Sequence, residues 1–123
     1  MTLDTNILIA YLAGDAVVTE AIINWKREGR TIFLSPVAET EVLSFSGWSD
    51  EELHIAGKFL EENFNPIPFD RALARIAAGI RRNAKIKFPD AAIAALALGM
   101  NTPLVTRNVR DFKRIAGLEI ITL

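Results

Sequence analysis

Short apolar runs that alternate with longer helical segments are the feature of this sequence that most restricts its fold. Runs with the length and flanking residues of buried strands lie at 32–34, 67–69, 103–106 and 118–121, and residues 2–3 can begin a fifth strand. Prolines in and beside the run at 67–69 confine it to a sheet edge. Strands that alternate with helices predict an α/β fold. We expect a single domain over residues 1–123, with a mostly parallel central sheet of about five short strands and helices on both faces.

Capping residues mark the starts of the predicted helices. Four residues suit the N-cap position: Asp15, Ser35, Ser49 and Asp70. They predict helices at 15–28, from 36 toward 45, at 49–63 and at 70–83. An alanine-rich segment after Pro89 predicts a further helix that ends at Gly99, and its apolar surface on nearly every side indicates burial. The longest apolar run is too short to cross a bilayer, so we expect no membrane partner.

Acidic and amide side chains lie near the points where the predicted strands give way to helices. They are Asp4, Glu41, Asp90, Asn108 and Asp111. Because ligands of open α/β folds bind outside the carboxyl ends of the strands, we expect these side chains to come together there. Converging carboxylates repel one another, and a hard divalent cation such as Mg²⁺ removes that repulsion. The chain has no cysteine and a single histidine, which excludes a thiolate site and a histidine-rich zinc site.

Each of these acids also has a purely structural interpretation. Asp90 can be the N-cap of the alanine-rich helix, and Asp4 can cap a helix that follows it. Glu41 can be a solvated helix residue, and Asp111 can be a surface charge. Glu39 lies about 200° from Glu41 around a helix, so only one of the two can face a shared site.

Four blocks of local sequence resemble those of PIN-domain proteins. They are residues 3–9 (LDTNILI), 35–43 (SPVAETEVL), 87–95 (KFPDAAIAA) and 104–112 (LVTRNVRDF). Their order and spacing match over essentially the whole chain, and the likeness is greatest to VapC-type toxins of bacterial and archaeal toxin–antitoxin pairs. Relatives usually carry a few more apolar residues before the first aspartate. Either the first strand is short here, or the true start lies upstream of Met1.

This resemblance implies a metal-dependent endoribonuclease that uses Mg²⁺ or Mn²⁺. Three residues match the core acids of the family by position: Asp4, Glu41 and Asp90. The fourth acidic position falls on Asn108, where many relatives carry an acid, or on Asp111, on which other relatives rely. Asn108 can supply a carbonyl oxygen to the metal but no charge. Asn6 and Thr106 match polar positions that hydrogen-bond the acids or the waters of the metal.

The resemblance also implies the partners. These are an RNA substrate, a cognate antitoxin that wraps the toxin and blocks its site, and a second copy of the chain in a homodimer. The absence of cysteine fits a reducing compartment, so we expect the cytoplasm. Two other functions stay open. One is a non-catalytic module that binds nucleic acid or protein on the same fold, and the other is a house-keeping nuclease for RNA processing or DNA flaps. The intact acids argue against the first, and the compact length favours the toxin over the second.

Charge is distributed unevenly along the chain. Residues 1–70 hold twelve acidic and four basic side chains, whereas residues 71–123 hold ten basic and three acidic ones. Six basic residues near the third and fourth blocks are candidates for contacts with RNA phosphates: Arg81, Arg82, Lys85, Lys87, Arg107 and Arg110. The alternatives are a solvated helix face or a surface for an acidic antitoxin segment. Three aromatic side chains can stack on bases or pack against a partner: Phe45, Trp48 and Phe59. His54 is expected to be structural or at the surface.

Overall fold

A computed structural model of the chain describes all residues from Met1 to Leu123. Its strands are β1 (Thr2–Leu3), β2 (Phe33–Leu34), β3 (Asn65–Pro66), β4 (Leu104–Val105) and β5 (Ile120–Ile121). Its helices are α1 (Thr5–Leu12), α2 (Ala16–Arg27), α3 (Pro36–Leu43), α4 (Asp50–Asn63), α5 (Arg71–Asn83), α6 (Phe88–Gly99) and α7 (Val109–Phe112). All strands pair in parallel in one sheet, in the order β3-β2-β1-β4-β5. The predicted α/β fold with a five-stranded parallel sheet is confirmed.

Strand β1 is the central strand of the sheet, and the later strands lie on both sides of it. The chain first passes through β2 to the edge strand β3, and it then returns across the sheet to β4 and β5 on the other side. Right-handed crossovers in opposite directions place helices on both faces of the sheet. The strand order reverses between β1 and β4, where the N–H of Asp4 donates to the carbonyl of Val105 at 3.0 Å. Ligands of open parallel sheets bind at such a reversal, outside the carboxyl ends of the strands.

The predicted N-caps are present. Each of four side chains accepts a hydrogen bond from the first turn of its helix: Asp15, Ser35, Ser49 and Asp70. The capping box of α4 is complete, because Ser49 Oγ accepts from the N–H of Glu52 at 3.1 Å and a carboxylate oxygen of Glu52 accepts from the N–H of Ser49 at 3.0 Å. Gly29 follows α2 with a φ of +75°, a left-handed conformation that glycine adopts without steric cost.

The prediction of the edge strand at 67–69 is wrong by two residues, since β3 forms at Asn65–Pro66. The N–H groups of Asn65 and Ile67 donate to the carbonyls of Ile32 and Leu34 in the neighbouring segment, at 2.9 and 3.2 Å. Pro66 lies between these two donors, where no N–H is needed. The backbone donors therefore set the pairing, and the apolar side chains farther along do not.

The alanine-rich helix α6 begins at Phe88, two residues earlier than the sequence predicts, because Pro89 fits within a first helical turn. Lys87 occupies the N-cap position, and no side chain caps the helix. Asp90 is the third residue of α6. The interpretation of Asp90 as an N-cap is therefore wrong, and its carboxylate is available for another role.

Helix α6 forms the centre of the hydrophobic core. Seven consecutive residues, 91–97, are buried, and the helix packs against β1, α3, α5 and α7. The burial predicted from its apolar surface is confirmed. The Asp90 end of α6 is thereby fixed beside the carboxyl end of the central strand. No single helix of the chain has the length and apolar composition needed to cross a membrane.

Candidate active site

A cleft of about 480 Å³ lies where α3, the start of α6 and α7 meet. Nine residues line it: Glu41, Lys85, Ile86, Lys87, Pro89, Asp90, Arg110, Asp111 and Arg114. Three of them are predicted site acids. The fourth predicted acid, Asp4, is buried directly after β1 with 5% of its surface exposed, and its charge adds to the raised pKa of Asp90 in the cleft. The fold therefore brings together four acids from four separate parts of the sequence.

Asp4 is held by hydrogen bonds on both carboxylate oxygens. The backbone N–H of Thr5 donates to Oδ1 at 2.8 Å, and the hydroxyl of Thr106 donates to Oδ2 at 2.7 Å. Asp4 is thus also the N-cap of α1. Burial raises the pKa of Asp4, the two hydrogen bonds oppose that rise, and the carboxylates of Glu41 and Asp111 add to it. The fold fixes this carboxylate although its ionised form is disfavoured.

Glu41 is oriented by a residue that the sequence analysis missed. The hydroxyl of Thr5 donates to Glu41 Oε1 at 2.7 Å, which joins the start of α1 to α3. The signal for Thr5 in the sequence was its place directly after Asp4 in the first motif. Glu39, two residues before Glu41, does not line the cleft. This placement agrees with the helical geometry, which allows only one of the two glutamates to face the site.

Asp90 is the acid whose ionisation is most strongly opposed. Its pKa is raised to about 6, and burial is the largest cause. Three neighbouring carboxylates add to the rise: Asp4, Asp111 and Glu41. The cation of Lys87 opposes it only in part. Carboxylates that raise one another's pKa in a cleft mark a position where a bound cation lowers the free energy of the ionised forms.

The fourth carboxylate of the cleft belongs to Asp111. The side-chain amide of Asn108 donates to Asp111 Oδ2, and the backbone N–H of Asn108 donates to Thr106 Oγ1 at 2.9 Å. Asn108 therefore directs its amide nitrogen, not its carbonyl oxygen, at the acid. The amide of Asn6 reaches the same Thr106 hydroxyl at 3.5 Å. The two predicted polar positions, Asn6 and Thr106, thus belong to one hydrogen-bond network with Asp4.

The donor set suits a hard cation that keeps part of its water. All four acids offer oxygen ligands, and the pKa values of Asp4 and Asp90 are raised. No group of three or more Asp, Glu, His or Cys side chains is arranged to hold a metal ion directly. Mg²⁺ does not require such a group, because it retains several waters and binds directly through one or two carboxylates. The site therefore fits Mg²⁺ or Mn²⁺ held partly through water, and it does not fit the compact tetrahedral set that zinc prefers.

Five of the six predicted RNA-binding residues surround the cleft or the cavity beside it. Lys85, Lys87 and Arg110 line the cleft itself. Arg81 and Arg82 line an adjoining cavity of about 630 Å³, which shares Lys85 and Lys87 with the cleft. The two cavities form a continuous basic surface that begins at the acids. The sixth residue, Arg107, lines neither cavity.

An apolar groove adjoins the cleft on the side of Glu41. It consists of two cavities of about 590 and 350 Å³ that share Leu12 and Trp48, and the larger one also borders Glu41. The apolar side chains that define this groove are Ile9, Leu12, Ala13, Phe45, Trp48, Ile55 and Phe59. Phe45 is 62% exposed and packs edge-on against Trp48, with ring centroids 5.8 Å apart. All three aromatic candidates therefore lie in this groove, away from the basic surface. His54 is exposed on α4.

Comparisons with known proteins identify the family and the fold of the chain. A family model described as the PIN domain matches residues 1–118. The chain is 30% identical over 133 residues to "Ribonuclease VapC1" of Rickettsia felis, covering all of this chain and 96% of the relative. The fold matches a crystal structure of VapBC2 from Rickettsia felis bound to promoter DNA, with a TM-score of 0.87, 22% identity, and coverage of 99% of this chain and 97% of the other. A toxin-antitoxin complex from Klebsiella pneumoniae gives a TM-score of 0.79, 28% identity, and coverage of 98% and 95%.

Proposed function

The chain belongs to the PIN-domain family, and on that premise we propose that it is a metal-dependent endoribonuclease and the toxin of a toxin–antitoxin pair. The observation that supports this proposal is that Glu41, Asp90 and Asp111 line one cleft with a basic rim, with the buried Asp4 close enough to raise the pKa of Asp90. A phosphodiester is an anion, so a negatively charged cleft can accept it only with cations present. The basic rim provides some of them, and a bound divalent ion provides the rest. We place this activity in the cytoplasm.

The four acids are the proposed holders of the metal. When Mg²⁺ or Mn²⁺ is bound, it supplies Lewis-acid polarisation of the phosphate and lowers the pKa of a bound water. Thr106 and Thr5 keep the carboxylates of Asp4 and Glu41 in place through their hydroxyl donors. Asn108 does the same for Asp111. These residues fix the ligand oxygens before the substrate arrives, so little rearrangement is needed during reaction.

Addition of Mn²⁺ or Mg²⁺ is expected to raise the melting temperature of the protein. Binding to the native state alone stabilises it, by about 2.7 kcal/mol at a concentration 100 times the dissociation constant. The measurement is a thermal melt with and without the ion, together with calorimetric titration. Glu41→Gln should weaken binding, whereas Glu39→Gln is the matched control on the same helix and should leave it unchanged. An absence of divalent-ion binding at millimolar concentration in the parent would remove the nuclease from consideration.

Alanine at Arg81, Arg82, Lys85 and Lys87 together is expected to weaken RNA binding across different sequences. Each lost phosphate contact should reduce the slope of log affinity against log salt concentration by about 0.7 for a single strand. The measurement is an RNA-binding titration at several salt concentrations, made on metal-free protein to prevent cleavage. The matched control replaces Arg71 and Arg75, which are exposed on the same helix α5 and line neither basic cavity. An unchanged slope in the fourfold variant would assign these cations to solvent or to another partner.

A cognate antitoxin is the proposed protein partner, and a homodimer is the proposed assembly. The apolar groove supports the antitoxin proposal, because exposed side chains such as Ile9 and Phe45 gain stability when a partner segment covers them. The groove ends at Glu41, so a segment bound there reaches the acidic cleft. The similar protein of known structure from Klebsiella pneumoniae is a toxin-antitoxin complex, which supports the same partner.

A further inference from the structure

The segment that joins β4 to α7 carries two groups that orient the acids. Thr106 donates to Asp4, and Asn108 donates to Asp111. Arg107 stands between them, and its side chain forms its hydrogen bond and its ion pair with Leu123 and Asp15, not with either acid. The position of this three-residue segment therefore decides where two carboxylates of the site are presented, and Arg107 is its central residue.

Arg107 is anchored to three other parts of the chain. Its backbone N–H donates to Asn6 Oδ1 in α1 at 3.4 Å. Its guanidinium pairs with Asp15, the N-cap of α2, with 2.9 Å between Nη1 and Oδ2. Its Nε donates to the carbonyl of Leu123, after β5, at 3.2 Å. The hydrogen bond from Arg107 is the largest cause of a lowered pKa at Asp15.

These contacts do not fit the predicted role of Arg107 in binding RNA phosphates. Its guanidinium already has two protein acceptors, and it lines neither the acidic cleft nor the adjoining basic cavity. Arg110, three residues later, lines the cleft and has no ion pair. The two arginines of the fourth motif are therefore placed for different tasks.

We propose that Arg107 is a positioning residue, which fixes residues 106–108 so that Thr106 and Asn108 hold Asp4 and Asp111 in the geometry of the metal site. This inference rests on the proposed function, because it assigns Arg107 to the same carboxylate site. The planar guanidinium can hold Asp15 and Leu123 at once, whereas the ammonium of a lysine is a point donor on a flexible stem. Asp15 is also a positioning residue, because its ion pair holds the guanidinium of Arg107 in place.

The test compares Arg107→Gln, Arg107→Lys, Asp15→Asn and Arg110→Gln with the parent. Asparagine at 15 keeps the N-cap of α2 and removes only the charge that holds Arg107. Arg30→Gln is the control, because it breaks an exposed ion pair with Glu28 away from the site. For each protein, kcat, KM and the salt dependence of KM are measured with an RNA substrate that the parent cleaves. The dissociation constant for Mn²⁺ is measured by calorimetry without RNA, and thermal melts confirm that each variant is folded.

Arg107→Gln and Asp15→Asn are expected to lower kcat about 10- to 100-fold and to weaken Mn²⁺ binding about 10-fold, with KM and its salt dependence unchanged. Arg107→Lys should recover only part of kcat. Arg110→Gln should instead raise KM and flatten the salt dependence. The inference is overturned if Arg107→Gln raises KM while Asp15→Asn behaves as the parent, or if both match Arg30→Gln. If the parent cleaves no RNA, the proposed function fails, and the Mn²⁺ affinities still decide whether Arg107 positions the carboxylates.

Discussion

Replacement of Asp90 by asparagine is expected to reduce RNA cleavage by more than about 100-fold while the protein stays folded. Asp90 lines the cleft and caps no backbone group of α6, so the substitution removes a charge and no structural hydrogen bond. Asparagine has nearly the same shape, and the third position of the helix accepts it. The loss therefore reports the charge of the carboxylate alone. The measurement is the initial rate of RNA cleavage in Mn²⁺ for the parent and the variant.

The same variant is expected to be at least as stable as the parent when no metal is present. The pKa of Asp90 is raised to about 6 in the folded protein, so the ionised carboxylate destabilises the fold above that pH. Below the ordinary pKa of an aspartate, about 3.9, the group is protonated in both states and the penalty is absent. Any advantage of Asp90→Asn in melting temperature should therefore be present at pH 7.5 and shrink as the pH falls from 6 to 4.

Asp50→Asn provides the control for these melts, because Asp50 is exposed in the first turn of α4. It should show no gain in stability at pH 7.5. A variant Asp90→Asn that cleaves RNA as fast as the parent would leave Asp90 without a role in the site, and the assignment of Asp4 and Glu41 as its co-ligands would fall with it.

Replacement of Thr106 by valine is expected to lower cleavage about 10- to 100-fold at pH 7 and to destabilise the fold by about 1–3 kcal/mol. Thr106 is fully buried, and its hydroxyl donates to Asp4 Oδ2 at 2.7 Å. Valine keeps the shape of threonine but cannot donate a hydrogen bond to the buried carboxylate of Asp4. That hydrogen bond lowers the pKa of Asp4, so its removal raises the pKa further. The acidic limb of the pH–rate profile should move to higher pH, since a larger fraction of Asp4 is then protonated at a given pH.

Thr106→Ser is the matched control, because it keeps the hydroxyl and removes only a methyl group. It should retain most of the activity and leave the acidic limb in place. Equal pH profiles for the valine and serine variants would show that the hydroxyl does not tune Asp4. Thr106 would then be only a packing residue at the end of β4.

The sequence predicts the succession of five strands along the chain and most helix starts, because local signals determine them. The order of the strands within the sheet is known only from the structure. A serine or an aspartate at an N-cap, or a glycine past a helix end, acts through the adjacent backbone and needs no tertiary partner. The predicted position of the edge strand differs from Asn65–Pro66 because the pairing depends on which N–H groups meet β2, 32 positions earlier in the chain. The predicted start of α6 differs from Phe88 because proline is compatible both with the position before a helix and with the first helical turn.

The four acids are predicted from their places where strands give way to helices and from the family motifs. In the structure, Glu41, Asp90 and Asp111 line one cleft, and the buried Asp4 lies beside them. The groups that orient them were only partly predictable. The hydrogen bond from Thr5 to Glu41 spans 36 positions, and no local pattern indicates which threonine meets which acid. Arg107 was grouped with the other basic residues because its charge is visible in the sequence and its partner Asp15 is not. Charge alone does not distinguish a cation that binds RNA from one that anchors a loop.

Cleavage of a complex RNA pool tests the proposed function most directly. Total bacterial RNA is incubated with the purified, partner-free chain in Mn²⁺, in Mg²⁺ or in EDTA, and new 5′ ends are mapped by sequencing. We expect new internal ends at defined positions with either ion, none in EDTA, and more than about 100-fold fewer with Asp90→Asn. An absence of new ends in both ions, or equal cleavage in EDTA or by Asp90→Asn, would contradict a metal-dependent endoribonuclease at this carboxylate site.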